Sequence, residues 1–236
     1  MRIAGIQKMS TVDYPGKLSA VIFTQGCNFR CGYCHNPTLI DKETSEPLRC
    51  EEILAFLERR KGLLDGVVVS GGEPTLQEDL EVFLGRIREK GFLVKLDTNG
   101  SRPQVLERLL NYKLLNYVAM DIKAPFIKYG RICGTSVSLD ALKQSMALLD
   151  KSGIPYEYRT TYAPQLSEED LVEIAENLEA STPYVLQQYR RTGTEASGGG
   201  GPSERRSIAA FLKSGAAKRL GALQVRGEFV MIENRA

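Results

Sequence analysis

Short runs of β-branched and other apolar residues alternate along the chain with longer stretches whose apolar positions recur every three or four residues. The short runs predict strands at Leu18–Thr24, Gly66–Ser70, Phe92–Asp97, Asn116–Asp121, Ile154–Thr160 and Pro183–Gln188. Val67-Val68-Val69 is continuously apolar rather than alternating, as in a strand covered on both faces of a parallel sheet. The longer stretches predict helices at Cys50–Lys61, Gln77–Lys90, Ser101–Tyr112, Leu139–Lys151 and Ser167–Ala180. Ser101 and Pro103 read as a cap and first turn. Ser167-Glu168-Glu169-Asp170 reads as a helix start with acidic residues near the positive end of its dipole. Gly91 and Gly153 follow two helix ends, where a left-handed residue is wanted.

This succession is a series of β-α units, which predicts an α/β fold with a parallel sheet curling toward a barrel. Six units fall short of the eight of a full barrel, so the pattern leaves both a partial barrel and a doubly wound sheet open. In either, the site lies at the C-terminal ends of the strands. The whole chain, 1–236, reads as one domain with a core at about 17–190. Thr192–Ser203, with Gly198-Gly199-Gly200-Gly201, reads as a flexible loop. No Gly-Lys-Ser/Thr follows it, so it is not a phosphate loop. A short C-terminal extension, 204–236, carries a helix at Glu204–Lys213 and a last strand at Gln224–Ile232.

Charge narrows the function classes. Lys plus Arg number 31 and Asp plus Glu 29, a net charge of +2. That balance argues against a nucleic-acid binder held by phosphate contacts. No apolar run approaches the ~18 residues of a membrane span, so no membrane partner is expected. Met1–Lys8 lacks the apolar centre of a signal peptide, so a cytoplasmic protein with reduced thiols is expected.

Three of the five cysteines fall within eight residues, directly after the first predicted strand. Cys27, Cys31 and Cys34 form C-x3-C-x2-C, a spacing that lets thiolates on one loop wrap a soft metal centre. An iron–sulfur cluster held by three cysteines leaves one iron open for chemistry. A zinc site closed by His35, Cys50 or Cys133 is the alternative. Cys50 and Cys133, isolated in sequence, read as small buried hydrophobes.

The cysteine run, with Tyr33 as the aromatic before Cys34, resembles the signature of the radical S-adenosylmethionine (SAM) enzymes. Ser70-Gly71-Gly72-Glu73-Pro74 resembles that family's glycine–glycine–glutamate segment. Asp97-Thr98-Asn99-Gly100 and Met120-Asp121-Ile122-Lys123 end the third and fourth predicted strands in the same order. The resemblance covers about residues 10–190 and implies a partial (β/α)6 barrel. It implies that Cys27, Cys31 and Cys34 hold one [4Fe–4S] cluster whose fourth iron is chelated by SAM. Reductive cleavage of SAM then yields a 5′-deoxyadenosyl radical that abstracts hydrogen. It places Gly71, Gly72 and Glu73 at the SAM ammonium, and Asp97, Thr98 and Asp121 at its amino and ribose ends. Lys123 and Arg159 would face its carboxylate and Tyr33 its adenine, while His35 and Asn36 would fix the loop. In some members the positions of Asp97 and Asp121 also hold a monovalent cation.

The lead-in Ser10-Thr11-Val12-Asp13-Tyr14-Pro15-Gly16-Lys17 and the Cys34-His35-Asn36-Pro37 loop resemble the activating enzymes of glycyl-radical proteins. Anaerobic ribonucleoside-triphosphate reductase activating proteins are similar. This implies a glycyl-radical enzyme as partner and a flavodoxin- or ferredoxin-type electron donor. The lead-in by itself is only a turn at Pro15-Gly16 opening a strand. A radical enzyme acting on a small molecule such as a deazapurine precursor, and a zinc-binding barrel without redox role, are the competing readings.

Overall fold

The computed structural model describes residues 1–41, 46–190 and 206–230. The strands are β1 (Ile3–Ser10), β2 (Ser19–Thr24), β3 (Gly66–Gly71), β4 (Leu93–Thr98), β5 (Tyr117–Asp121), β6 (Tyr156–Tyr162), β7 (Pro183–Gln188) and β8 (Ala222–Arg226). The helices are α1 (Cys50–Glu58), α2 (Leu80–Glu89), α3 (Pro103–Asn111), α4 (Tyr129–Cys133), α5 (Leu139–Lys151), α6 (Glu168–Glu176), α7 (Ala209–Lys213) and α8 (Gly215–Arg219). The fold is α/β with parallel strands, as the alternating pattern predicts. Contacts divide it into two compact units, the first built of Met1–Arg30, Thr38–Met120 and Ser138–Tyr156, the second of Cys31–Pro37, Asp121–Val137 and Glu157–Ala236.

In the first unit β2, β3, β4 and β5 pair in parallel, and β1 pairs antiparallel with β2. Val67, Val68 and Val69 are all fully buried, as their continuous apolar run requires. One face of these strands packs Val21 and Val68 against Tyr14, with Phe23, Leu93 and Tyr117 alongside. Among the helices, α1 packs on α2 and α2 on β4. The packed helix faces are Ile53, Leu54 and Leu57 on α1 and Leu80, Phe83, Leu84 and Ile87 on α2.

In the second unit β6, β7 and β8 run parallel. A capping box between Ser167 and Asp170 starts α6, as the Ser-Glu-Glu-Asp run predicts. Arg206 ties the C-terminal extension down: its guanidinium stands 3.7 Å from the Tyr162 ring centre and donates to the Ala163 and Leu166 carbonyls at 2.5 Å.

Several expectations shift. β1 occupies a stretch where only a later turn was expected. Its residues do not alternate cleanly, because only one neighbour strand and part of one face are covered. The helix expected from Ser101 starts at Pro103, since the Ser101 hydroxyl accepts from the Asn28 side chain instead of capping. The final described strand is Ala222–Arg226, starting before the expected Gln224; the end of the expected strand, at 231–232, lies outside the described residues. Gly227, at φ +118°, ends β8, and Val230 makes one isolated bridge to Ser207. The glycine-rich loop at 192–203 lies outside the described residues. No helix among the described residues is long and apolar enough to cross a membrane.

Candidate active site

In the first unit, the cysteine loop leaves β2 through a pinned backbone. The Gly26 N–H donates to the Leu39 carbonyl at 2.8 Å and the Cys27 N–H to that of Ile40 at 2.9 Å. The Gln25 amide donates to the carbonyls of Thr38 and Asp41. The end of β3 locks onto the same strand exit. The Gly72 N–H donates to the Thr24 carbonyl at 2.9 Å, and the Glu73 N–H to that of Gly26 at 2.8 Å. A Cβ at Gly71 or Gly72 would overlap the backbone of Thr24 or Gly26. These glycines therefore let two chain segments touch, a local reason for their lack of side chains.

Glu73 is fully buried. Its carboxylate accepts from the Thr75 N–H at 3.1 Å, the Thr75 hydroxyl at 2.5 Å, the Thr98 hydroxyl at 2.7 Å and the Asn99 N–H at 2.6 Å. Burial raises its pKa, and those hydrogen bonds only partly oppose the rise. Glu73 and Thr98 together thus tie the end of β3 to the end of β4. Asn99, which the sequence reading quoted but did not assign, reaches Cys27. Its side-chain amide lies 4.0 Å from the Cys27 sulfur and 2.9 Å from the Asn28 side-chain oxygen. The Phe29 N–H also points at that sulfur, at 3.4 Å. Asp97 is ion-paired with Lys95, a residue the sequence reading missed; the lysine side chain is 1% exposed.

The second unit holds Cys31 and Cys34 on a tight turn, the Cys34 N–H donating to the Cys31 carbonyl at 3.0 Å. A hydrogen bond with Cys133 outweighs burial and brings the Cys31 thiol down to about 7. Burial pushes the Cys34 thiol up. Cys133 is buried as expected, but beside a predicted ligand. Cys50, which opens α1, is only partly buried, contrary to expectation. His35 stacks on Tyr189 with ring centres 5.6 Å apart, which fixes the loop's return leg.

Asp121 stands between two cations of the same unit. It accepts from Arg159 Nε and from Lys123 Nζ, each at 2.9 Å. Burial raises its pKa, yet Arg159 and Lys123 hold it down at about 2. Burial pulls the Lys123 ammonium down, but Asp121 and the neighbouring Tyr33 and Cys31 hold it well above the ordinary lysine value. The backbone sets this geometry. The Ile122 N–H donates to the Arg159 carbonyl at 2.8 Å, and the Tyr129 hydroxyl accepts from the Lys123 N–H at 3.1 Å. Two cations around one carboxylate leave a net positive charge, suited to a ligand carboxylate. Tyr33 is 5% exposed, and its hydroxyl has no hydrogen-bond partner among the described residues. An orphaned buried hydroxyl is what a ligand-binding position shows before its ligand is present.

These residues fit a cluster and SAM. The soft donors are thiols, and N–H groups are aimed at the Cys27 sulfur, as at cluster ligands. Among the described residues no three His, Cys, Asp or Glu side chains gather round a single ion-sized point. A [4Fe–4S] cluster does not need that, because each thiolate meets its own iron.

The Radical SAM superfamily profile matches residues 21–178. A "putative glycyl-radical enzyme activating enzyme" of Methanocaldococcus jannaschii is 40% identical over 193 residues, covering 79% of both chains. The pyruvate formate-lyase-activating enzyme of Clostridium pasteurianum is 38% identical over 127 residues, 52% of each chain. Among solved structures, Streptococcus suis SuiB bound to S-adenosylmethionine matches 88% of this chain with a TM-score of 0.64 at 16% identity. The chain spans only 50% of SuiB's length, and at that identity the likeness concerns the fold alone. The same holds for Escherichia coli QueE, at TM-score 0.51 and 18% identity over 79% of this chain and 82% of that one.

Proposed function

The chain belongs to the radical SAM superfamily, and from that premise we propose that it activates a glycyl-radical enzyme by removing a hydrogen atom from a backbone glycine of that partner. The observation that carries this reading is the 40% identity, over four-fifths of both chains, to a protein named for that activity. A [4Fe–4S] cluster and SAM supply the radical, by reductive cleavage of SAM to a 5′-deoxyadenosyl species. Everything else falls to the chain's own side chains.

Cys27, Cys31 and Cys34 hold the cluster, and the N–H groups of Phe29 and Asn99 steady the Cys27 sulfur. Asp121 keeps Lys123 and Arg159 apart and oriented, so that their surplus positive charge meets the SAM carboxylate. Tyr33 would offer its free hydroxyl to the bound molecule. Asp97 meets the polar end of SAM. Glu73 and Thr98 are committed to each other, so they act by holding the strand ends that carry Gly71, Gly72 and Asp97. The specific partner we infer is an anaerobic ribonucleoside-triphosphate reductase, and the electron donor a flavodoxin or ferredoxin.

The test is an oxygen-free mixture of the reconstituted, reduced protein, SAM and that reductase. The expected result is a stable glycyl radical signal by electron paramagnetic resonance, with 5′-deoxyadenosine formed alongside. Formation of 5′-deoxyadenosine only when a small metabolite is added, with no protein radical, would overturn the reading.

A further inference from the structure

The family resemblance leads one to expect a monovalent cation at Asp97 and Asp121, and the side chains around these carboxylates do not fit one. Lys95 lies two residues before Asp97 on β4, so both side chains leave the same face of the strand. The Lys95 side chain is 1% exposed and its ammonium is paired with the Asp97 carboxylate, which is 13% exposed. The ammonium also stands 5.9 Å from the centre of the Tyr117 ring, its register neighbour on β5 and within cation–π range. Val68 and Val21 continue that register row on β3 and β2, so apolar side chains flank Lys95 along the sheet. A buried ammonium persists only when it is paired, and here its pair is Asp97. A second cation at Asp97 would meet a carboxylate already neutralised and a like charge in contact with it. In the other unit Asp121 is likewise matched, by Lys123 and Arg159.

We propose that Lys95 is a built-in counter-ion for Asp97, and that the protein binds SAM without a monovalent metal cation. Lys95 is a positioning residue: it holds the Asp97 carboxylate in place, whereas Asp97 meets the ligand. The inference rests on the reading of Asp97 as part of the SAM site.

The experiment measures SAM affinity of the cluster-loaded protein by calorimetry. Potassium, sodium or tetramethylammonium serves as the sole monovalent cation, at matched ionic strength. The expected affinity of the unmodified protein is the same in all three, within about twofold. Lys95→Met keeps the volume and removes the charge. It should bind SAM about tenfold or more weakly in tetramethylammonium, the scale of a lost contact to a charged group, and recover in potassium or sodium. Lys95→Arg should stay indifferent to the salt. The melting midpoint gives a second reading that needs neither SAM nor activity. It should rise with potassium in Lys95→Met and stay constant in the unmodified protein, even where that variant takes up no cluster. A requirement for potassium or sodium in the unmodified protein would overturn the proposal. So would Lys95→Met behaving like the parent in tetramethylammonium. Failure of the activase reading looks different: SAM is bound and cleaved, yet no glycyl radical forms in any salt.

Discussion

At the scale of single residues, Asp121 is the pivot, because one carboxylate accepts from two cations, Lys123 and Arg159. Burial pushes its pKa up, yet Arg159 and Lys123 hold it at about 2, below the ~3.9 of a free Asp. A carboxyl depressed by folding stabilises the fold fully above its unfolded value and loses that contribution as pH falls through the folded one. The difference in melting midpoint between the protein and Asp121→Asn should therefore be constant near neutrality. It should shrink as pH falls from about 4 to about 2; a pH-independent difference would remove the ion-pair explanation. Asp121→Ala should keep the cluster and lose about tenfold or more in SAM affinity, since contacts to charged groups are worth ~1.5–3 kcal/mol. The cysteines give a separate check. Reconstitution should load about four irons and four sulfides per chain. Loading should fail in Cys27→Ala, Cys31→Ala and Cys34→Ala and survive in Cys50→Ala and Cys133→Ala. The Cys133 variant is the sharper of the last two, because its thiol touches that of Cys31. Such candidates are legible from spacing because ligation would constrain residue type. Lys95 is not: a lysine in a strand reads as a solvent-facing residue, and only the three-dimensional row with Val68 and Tyr117 shows it buried.

At the scale of elements, the strand exits matter more than the strands. The alternation of short strand-like stretches with longer helical ones reveals β2 to β7, of which β2, β3, β5 and β7 carry continuous apolar runs. β1 escaped it because an edge strand covered by one neighbour needs no such run. The helices end one to three residues short of Lys61, Lys90 and Tyr112: the first two N–H groups close tighter turns onto the Glu58 and Ile87 carbonyls, and Tyr112 is the C-cap, its N–H still donating to the Arg108 carbonyl. The Gly-Gly-Glu segment reads from sequence as a ligand contact, and in the structure it also meets chain atoms: Thr24 and Gly26 for the glycines, Thr75, Thr98 and Asn99 for the glutamate. Sequence shows that the segment is special; it does not show which neighbour makes it so. Two variants follow. Gly72→Ala forces a Cβ into the Gly26 carbonyl and should destabilise by about 1–3 kcal/mol or more, as overpacking does. Iron uptake should fall because Gly26 carries the chain into Cys27. Glu73→Ala strands buried donors at Thr75, Thr98 and Asn99, each costing ~1–3 kcal/mol. Its melting midpoint should fall by more than that of Glu73→Gln, which keeps one acceptor oxygen. Equal midpoints for the two variants would show that the hydrogen bonds to Glu73 are not what joins β3 to β4.

At the scale of the whole molecule, the question is where the abstracted hydrogen comes from. The net charge of +2 gives the chain no strong preference between acidic and basic partners, so docking of a protein segment meets no general electrostatic barrier. A backbone glycine is a chemically favourable donor. The radical left on its Cα is delocalised over the amide on either side, and no side chain blocks approach. A small substrate would need its own recognition groups. Yet Asp97 is paired with Lys95, and the surplus positive charge that Lys123 and Arg159 leave around Asp121 suits the SAM carboxylate. A peptide loop asks less of the site, because its position is fixed by the rest of the partner protein. The prediction is isotopic. With the partner's glycine deuterated at Cα, deuterium should appear at the 5′ position of 5′-deoxyadenosine in the first turnover, in step with the radical. The same partner with that glycine replaced by alanine should yield neither label transfer nor a protein radical. Label arriving instead from a deuterated metabolite, with the partner's glycine untouched, would assign the hydrogen to a small molecule and leave the protein a radical SAM enzyme of a different branch.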